Sequence, residues 1–381
     1  MVSLFRPTSE DLERIRRDVS AVSDIQARLL AHDQNHLKVP DRVAHQYQIA
    51  GSKVLLRIAS ELPENLAGVG LFQPDSEHVG IGRVSTGLGC PHVETRPDFL
   101  GLRLAFQTRN AERVDFIAIN DPGAPTDTHV EFMRLLEATA EGAGERFFAS
   151  SWRLLLSLSR TLGALHGGQI VAHVLKQTAR TAISSTAYQT FWTGIVEAGG
   201  IPGKFVIEPI SVENGLRAVA PSDSYLSDEW RARQRRGTIE FNLHWIPFVD
   251  DKVTSLVETT KGWEEHRHLV GNVVFPHCDP ESVDSWLWAA LAAEMGANPG
   301  YWIRDRKNTI PEPSTEFEVA RKIAYAASQK RRHVLPESVY TRVFLTGTIE
   351  DALAEELGGR RAKKRALCHL DCDFKAARNT E

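Results

Sequence analysis

The 381-residue chain reads as an α+β fold, an antiparallel β-barrel or sheet with helices at its N-terminus and around its outside. Two observations predict this. Seven β-rich runs are punctuated by Gly, Pro, Asn and acidic residues at irregular intervals. They do not alternate regularly with helical stretches, as the βαβ units of a parallel sheet would. Apolar content of 42% and charged content of 25% are ordinary for a globular protein, and the length suffices for a sizeable core.

Residues Thr8 to Ala31 alternate polar and apolar at helical spacing and read as one helix or a helix pair. Ser52–Ala59 reads as the first strand, ended by Leu62-Pro63-Glu64-Asn65. Val79–Thr86, Leu100–Gln107 and Val114–Ile119 read as three more. Thr128–Ala138 and Arg146–Leu165 read as helices. Gly203–Ile210, Gly237–Ile246 and Leu269–Phe275 are the late strands, and Ser282–Glu294 and Glu316–Arg332 the late helices. Residues 1–34 then form an N-terminal helical arm, 35–333 the main domain and 334–381 a C-terminal extension. After Gly358 the extension runs into a basic stretch, Gly-Arg-Arg-Ala-Lys-Lys-Arg, expected to be a mobile tail.

A net charge of −4 implies no bulk attraction to nucleic acid or to an anionic membrane. The charged first 18 residues lack the apolar run of a secretory signal. No stretch approaches the roughly 18 apolar residues of a membrane span. Four cysteines in so long a chain are not a disulfide framework. The expectation is a cytoplasmic protein.

The stretch that carries chemistry is Glu316–Arg332. It holds good helix formers, with Ser314 or Thr315 as N-cap, acids in its first turn and bases in its last. Arg321, Tyr325, Ser328 and Arg332 stand at i, i+4, i+7 and i+11, so they share one face. A guanidinium one turn from a phenol can hydrogen-bond its oxygen and favour the phenolate, which otherwise forms only near pH ~10. A tyrosinate on a helix can serve as an axial ligand to haem iron. Of the six tyrosines only Tyr325 has an arginine four residues before it. An Arg–Tyr contact on a solvated helix face would look the same, so the reading needs support from elsewhere.

Three further segments supply it: Arg42-Val43-Ala44-His45, then Gly82-Arg83-Val84-Ser85-Thr86, then Asp115–Pro122 with Asn120 inside it. Taken singly, His45 is an ordinary structural histidine, Arg42 and Arg83 are surface ion-pair partners, Ser85 ends a strand, and Asn120-Asp121-Pro122-Gly123 is a turn. In this order, followed by Arg321-xxx-Tyr325 and Arg332, the series resembles the catalase-fold haem proteins. The small bacterial catalase-related peroxidases are most similar. The likeness runs from about Val39 to His333 and includes Glu61–Phe72, Gly203-Lys204-Phe205 and the Gly237–Pro247 strand.

The resemblance implies an antiparallel barrel of the catalase type, haem b as cofactor and cleavage of hydrogen peroxide at the expense of an unknown reductant. It implies that His45 is the distal histidine, Ser85 its hydrogen-bond partner and Asn120 the distal asparagine. Tyr325 would be the axial ligand to iron, held ionised by Arg321, and Arg42, Arg83 and Arg332 would pair with the haem propionates. Related proteins suggest a homo-oligomer. The chain departs from the family at Gly123-Ala124, where a hydrophobic or aromatic pair is usual, which predicts a wider or reshaped distal channel. Leu100-Gly101 replaces the usual Arg-Gly. Phe132, with Met133 beside it, is the candidate aromatic to stack on haem.

Two other functions stay open. Coral allene oxide synthases share the fold and convert organic hydroperoxides, but they place a threonine before the distal histidine, where this chain has Ala44. A haem-free metal protein would use Cys368-His369-Leu370-Asp371-Cys372-Asp373 or His277-Cys278-Asp279, whose spacing fits no defined zinc pattern.

Overall fold

The structure is a computed structural model; it describes residues 5–31, 42–87, 92–108, 112–142, 147–178, 183–210, 222–263, 266–299, 315–332, 334–349 and 353. The basic tail, Cys368, Cys372 and Ser314 lie outside the described residues.

The sheet contains β1 (Gln48–Ile58), β2 (Glu77–Thr86), β3 (Leu100–Gln107), β4 (Arg113–Ile119), β5 (Phe191–Thr193), β6 (Val196–Ala198), β7 (Ile201–Pro209), β8 (Ile239–Pro247) and β9 (His268–Phe275). Every pairing is antiparallel. The order runs β5-β4-β3-β2-β1-β9-β8-β7, and β5 also pairs with β7, so eight strands close into a barrel. The short β6 adds a hairpin to β7 through Gly199 and Gly200. Both adopt positive φ, which a two-residue hairpin turn of this hand requires.

Closure follows from alternation. Val54, Leu56, Phe106, Phe116, Phe205, Phe241, Trp245 and Phe275 all point inward and form one core. Phe205 stacks on Phe72, meets Phe116 edge-on and lies tilted against Trp245, at centroid distances of 5.6, 5.0 and 4.7 Å. Such aromatic contacts add about 0.5–1.5 kcal/mol each beyond area burial.

Helices cover the outside. The pair α1 (Ser9–Asp18) and α2 (Val22–Ala31) packs with α3 (His129–Glu141) and α8 (Glu316–Arg332) around Ile15, Ile25, Leu29, Met133 and Val319. Thr8 and Thr128 close capping boxes at the starts of α1 and α3. The Arg146–Leu165 helix of the sequence reading is two helices, α4 (Phe147–Leu162) and α5 (Ala164–Thr178), because Gly163 turns the chain at φ 88°. The helices α6 (Tyr225–Arg236) and α9 (Glu337–Thr346) were not anticipated. With α7 (Val283–Glu294), α9 buries Tyr340, Val343 and Phe344 against Ile81 and Leu291, so the chain beyond residue 333 still contributes to the core. Among the described residues, no helix is long and apolar enough to cross a membrane.

Candidate functional site

Between the outer face of β2–β4 and the helices α2, α3 and α8 lies a cavity of about 280 Å³. Strand alternation selects what reaches it. Val84 points into the barrel core, so Arg83 and Ser85 point out into the cavity. The register then sets Gly101 opposite Ser85 and Arg103 opposite Arg83. Ile117 and Ile119 continue the two rows on β4. From the other side α8 presents Arg321, Tyr325, Ser328 and Arg332, all on the cavity wall. Its N-terminus is closed by Thr315 and Glu318, whose side chains each bond the other's backbone N–H.

His45 sits where the chain enters β1 and has φ 58°, a left-handed conformation that costs a non-glycine residue energy. Four neighbours hold it there. Its N–H donates to the Gly87 carbonyl at 3.0 Å. Arg83 Nη2 donates to the carbonyls of His45 and Gln46 at 2.8 and 3.0 Å. The imidazole Nδ1 lies 3.2 Å from Ser85 Oγ, and Phe99 packs on the ring edge. A Cβ on residue 101 would stand 2.4 Å from His45 Nδ1, so the ring occupies the space that Gly101 leaves open. Burial, and next the Arg83 charge, hold the imidazole pKa down at about 4, so His45 is neutral at pH 7.

The basic end of the cavity is built on the C-terminus of α7. Arg42 Nη2 donates to the Ala293 carbonyl at 2.7 Å, and Arg332 Nη2 to the same oxygen at 3.4 Å. Arg103 donates to the Met295 and Gly296 carbonyls at 3.2 and 2.6 Å and to Asp115 at 3.0 Å. Cations are favoured at a helix C-terminus. Even so, Arg42, Arg83, Arg103 and Arg332 all line one cavity, and two of them are direct cross-strand neighbours. Like charges so placed repel unless anions sit between them. Burial, helped by the charges of Arg113 and Arg42, lowers the Arg103 guanidinium to about 10 despite Asp115, and its Nε has no partner among the described residues. Sequence reading missed Arg103: in Leu-Gly-Leu-Arg-Leu it was only part of a strand, and its significance appears once the register sets it beside Arg83.

Arg321 and Tyr325 behave differently from the expected pair. No hydrogen bond joins them, and neither has a hydrogen-bond or ion-pair partner among the described residues. The Arg321 guanidinium lies against Gly194, where a Cβ would stand 2.4 Å from Nη1. Ser328 is turned to α2, accepting a hydrogen bond from Gln26 Nε2 at 3.0 Å. Asn120 also departs from expectation. It is buried but is not part of the cavity wall, although Ile119 and Asp121 on either side are. Its Oδ1 accepts the Leu100 N–H at 2.7 Å, and its Nδ2 lies 3.4 Å from Gln189 Oε1.

Phe132 and Met133 both line the cavity. Of the two outcomes expected at Gly123, a wider or a reshaped channel, the local packing is a reshaping. The place of its side chain is taken by the Thr260 carbonyl, 2.0 Å from where a Cβ would be. The loop after β8 is fastened there: Ala124 N–H donates to Thr259 O at 2.8 Å, and Lys204 Nζ to Pro122 O at 3.2 Å. Lys204 lies 5.0 Å from the Trp263 ring, and burial lowers its ammonium to about 8. Among the described residues no group of three or more His, Cys, Asp or Glu could hold a metal ion, and Cys278 is a free thiol.

The residues present fit a haem. The donor set is a lone phenol on a helix, and a cluster of buried guanidiniums suits two carboxylates, which arginine forks bind well. The fold agrees. A fungal catalase matches with a TM-score of 0.60 at 16% identity, over 81% of this chain and 62% of that one. A bacterial catalase matches with 0.60 at 17% identity, over 81% and 60%. Catalase A from Saccharomyces cerevisiae matches with 0.56 at 15% identity, over 78% and 62%. The chain therefore has the catalase fold and spans about three-fifths of the length of these catalases. No protein-family model and no curated protein matches the chain.

Proposed function

We propose that the cavity holds haem b and that the protein is a catalase-related peroxidase that cleaves hydrogen peroxide. The observation that carries this reading is the meeting in one cavity of a neutral, half-buried imidazole, a helix-borne phenol and a guanidinium cluster. Tyr325 would be the iron ligand, with the Arg321 guanidinium one turn away to stabilise its anionic oxygen. Arg42, Arg83 and Arg332 would bind the two propionates, and Arg103 joins them. The haem, when bound, supplies the redox-active iron at which the O–O bond is reduced.

The rest is the work of this chain's own side chains. With Nδ1–H donated to Ser85, His45 Nε2 keeps its lone pair. It can take the proton from one peroxide oxygen and return it to the other, the role of a neutral base with a pKa below the working pH. Asn120, held by the Leu100 N–H behind the cavity wall, would act as the uncharged donor only by turning its Nδ2 from Gln189 toward the cavity. Ile117, Ile119, Phe132 and Met133 keep that space apolar, which strengthens each polar contact within it.

The second reading, conversion of an organic hydroperoxide, draws on the same apolar wall. The methyl of Ala44, where a hydroxyl would be expected for that chemistry, favours the first. Supplying the haem-loaded protein with hydrogen peroxide and with a fatty-acid hydroperoxide separately tests the choice. Turnover of hydrogen peroxide is expected; turnover of the fatty-acid hydroperoxide alone would replace the first reading by the second.

A further inference from the structure

A second space, a surface groove of about 760 Å³, adjoins the cavity. His129, Thr259, Thr315 and Phe317 line both, so the two are separated by the thickness of single side chains. Phe317 also meets Phe132 of the cavity edge-on, with centroids 5.9 Å apart. The groove floor is apolar and aromatic, with Phe5, Phe248, Phe317 and Leu256. Its charged lining among the described residues is acidic, Asp127, Asp250, Asp251 and Glu316, and no described lysine or arginine joins them.

These carboxylates are not equally available. Glu316 is forked to Arg14 at 2.7 and 2.8 Å and also faces His129 Nδ1 at 3.2 Å, while Asp18 faces Nε2 at 3.0 Å. That pairing leaves Glu316 little charge to offer. Asp127 spends one oxygen on the Thr260 N–H, and Asp250 spends one on the N–H groups of Lys252 and Val253. Asp251 is exposed and has no partner among the described residues. Lys252 and Lys261 lie on the same loop, the second donating to the backbone of the first, and neither lines the groove.

A haem peroxidase needs a reductant, and the groove has the chemistry to choose one. We propose that it seats the electron donor, an aromatic molecule with a cationic side chain, typified by a phenol bearing an ammonium group. The ring would lie on Phe5, Phe248 and Phe317, and the ammonium would face Asp250 and Asp251. Aromatic faces and carboxylates both attract such a cation and both disfavour an anion. The balanced reaction is one peroxide and two phenols giving two waters and two phenoxyl radicals. Each phenol loses one electron and one proton, and the peroxide O–O bond takes up two of each. The donor needs only to sit against Phe317, not to enter the cavity.

This inference rests on the peroxidase reading for its chemistry but not for its binding. The test uses tyramine and 4-hydroxyphenylacetate, which share the phenol and differ in the sign of the side-chain charge. Calorimetric titration of the haem-free protein is expected to show tyramine bound at least tenfold more tightly. The Asp250→Asn/Asp251→Asn variant keeps the amide-bonding oxygen of residue 250 and should lose most of that preference. With haem loaded, the KM ratio for the two donors should follow the binding ratio and shrink with added salt. Equal binding of the two phenols, or a preference unchanged in the double variant, overturns the proposal. Failure of the protein to take up haem would instead overturn the function above, with the binding result still deciding the groove.

Discussion

Replacing Gly101 by alanine tests the distal half of the site with one methyl group. The new Cβ would stand 2.4 Å from His45 Nδ1, 2.6 Å from Cε1 and 3.1 Å from Ser85 Oγ. Ordinary van der Waals contact begins at 3.4 Å, so the ring must retreat by about 1 Å. His45 cannot absorb this by a backbone shift, because Arg83 and Gly87 hold its carbonyl and N–H. The ring therefore rotates away from Ser85 and breaks the Nδ1–Oγ contact that orients it. A displacement of that size costs on the order of 10²-fold in rate, up to roughly 10⁴ if proton transfer is lost altogether. The overpacking costs about 1–3 kcal/mol of stability, which the fold should survive. The assay is the initial rate of hydrogen peroxide loss in haem-loaded Gly101→Ala protein, with haem content measured in the same sample. A loss of 10²-fold or more at full haem content is expected. Peroxide cleavage within threefold of wild type would refute the placement of His45 in the chemistry.

Two further outcomes follow from the charges. Burial and Arg83 depress the folded-state pKa of His45 from 6.5 to about 4, so between those values the unfolded chain binds the proton and the folded chain does not. Stability therefore falls as pH drops from 6.5 to 4, by about 3 kcal/mol at most from this residue. Urea denaturation of the haem-free protein should show that slope reduced in His45→Gln, and an unchanged slope would contradict the assignment. Arg103→Gln removes one guanidinium from the carboxylate-binding end of the cavity. It should weaken uptake of protohaem roughly tenfold or more by the scale of charge-assisted bonds, and uptake of haem dimethyl ester much less. Equal effects on both would make Arg103 purely structural.

The helix α8 was legible because both its ends and its face are written in local pattern. Acids, bases and an Arg-xxx-Tyr-xx-Ser-xxx-Arg spacing suffice to place four side chains on one wall. Arg83-Val84-Ser85 was legible for the same reason at period two. What escaped depends on partners distant in sequence. Arg103 gains meaning only from the register opposite Arg83, and the Asn120 carboxamide is oriented by Leu100 across a strand pair. Strands of three residues, β5 and β6, carry too few side chains to show alternation, yet β5 closes the barrel. Gly163 within Leu162-Gly163-Ala164 resembles a tolerated helix glycine until its positive φ splits α4 from α5. Gly123 left a wider and a reshaped channel equally open, because sequence cannot show that a loop some 137 residues later fills the gap.

The central claim is that Tyr325 ligates haem iron in this cavity. Titration of the haem-free protein with ferric haem, followed by absorption and electron paramagnetic resonance, measures it in wild type and in Tyr325→Phe. The account predicts one haem per chain with the signature of an oxygen-ligated ferric iron, and its loss or displacement in the phenylalanine variant. No stoichiometric uptake by the wild type, or an identical spectrum in Tyr325→Phe, would contradict it.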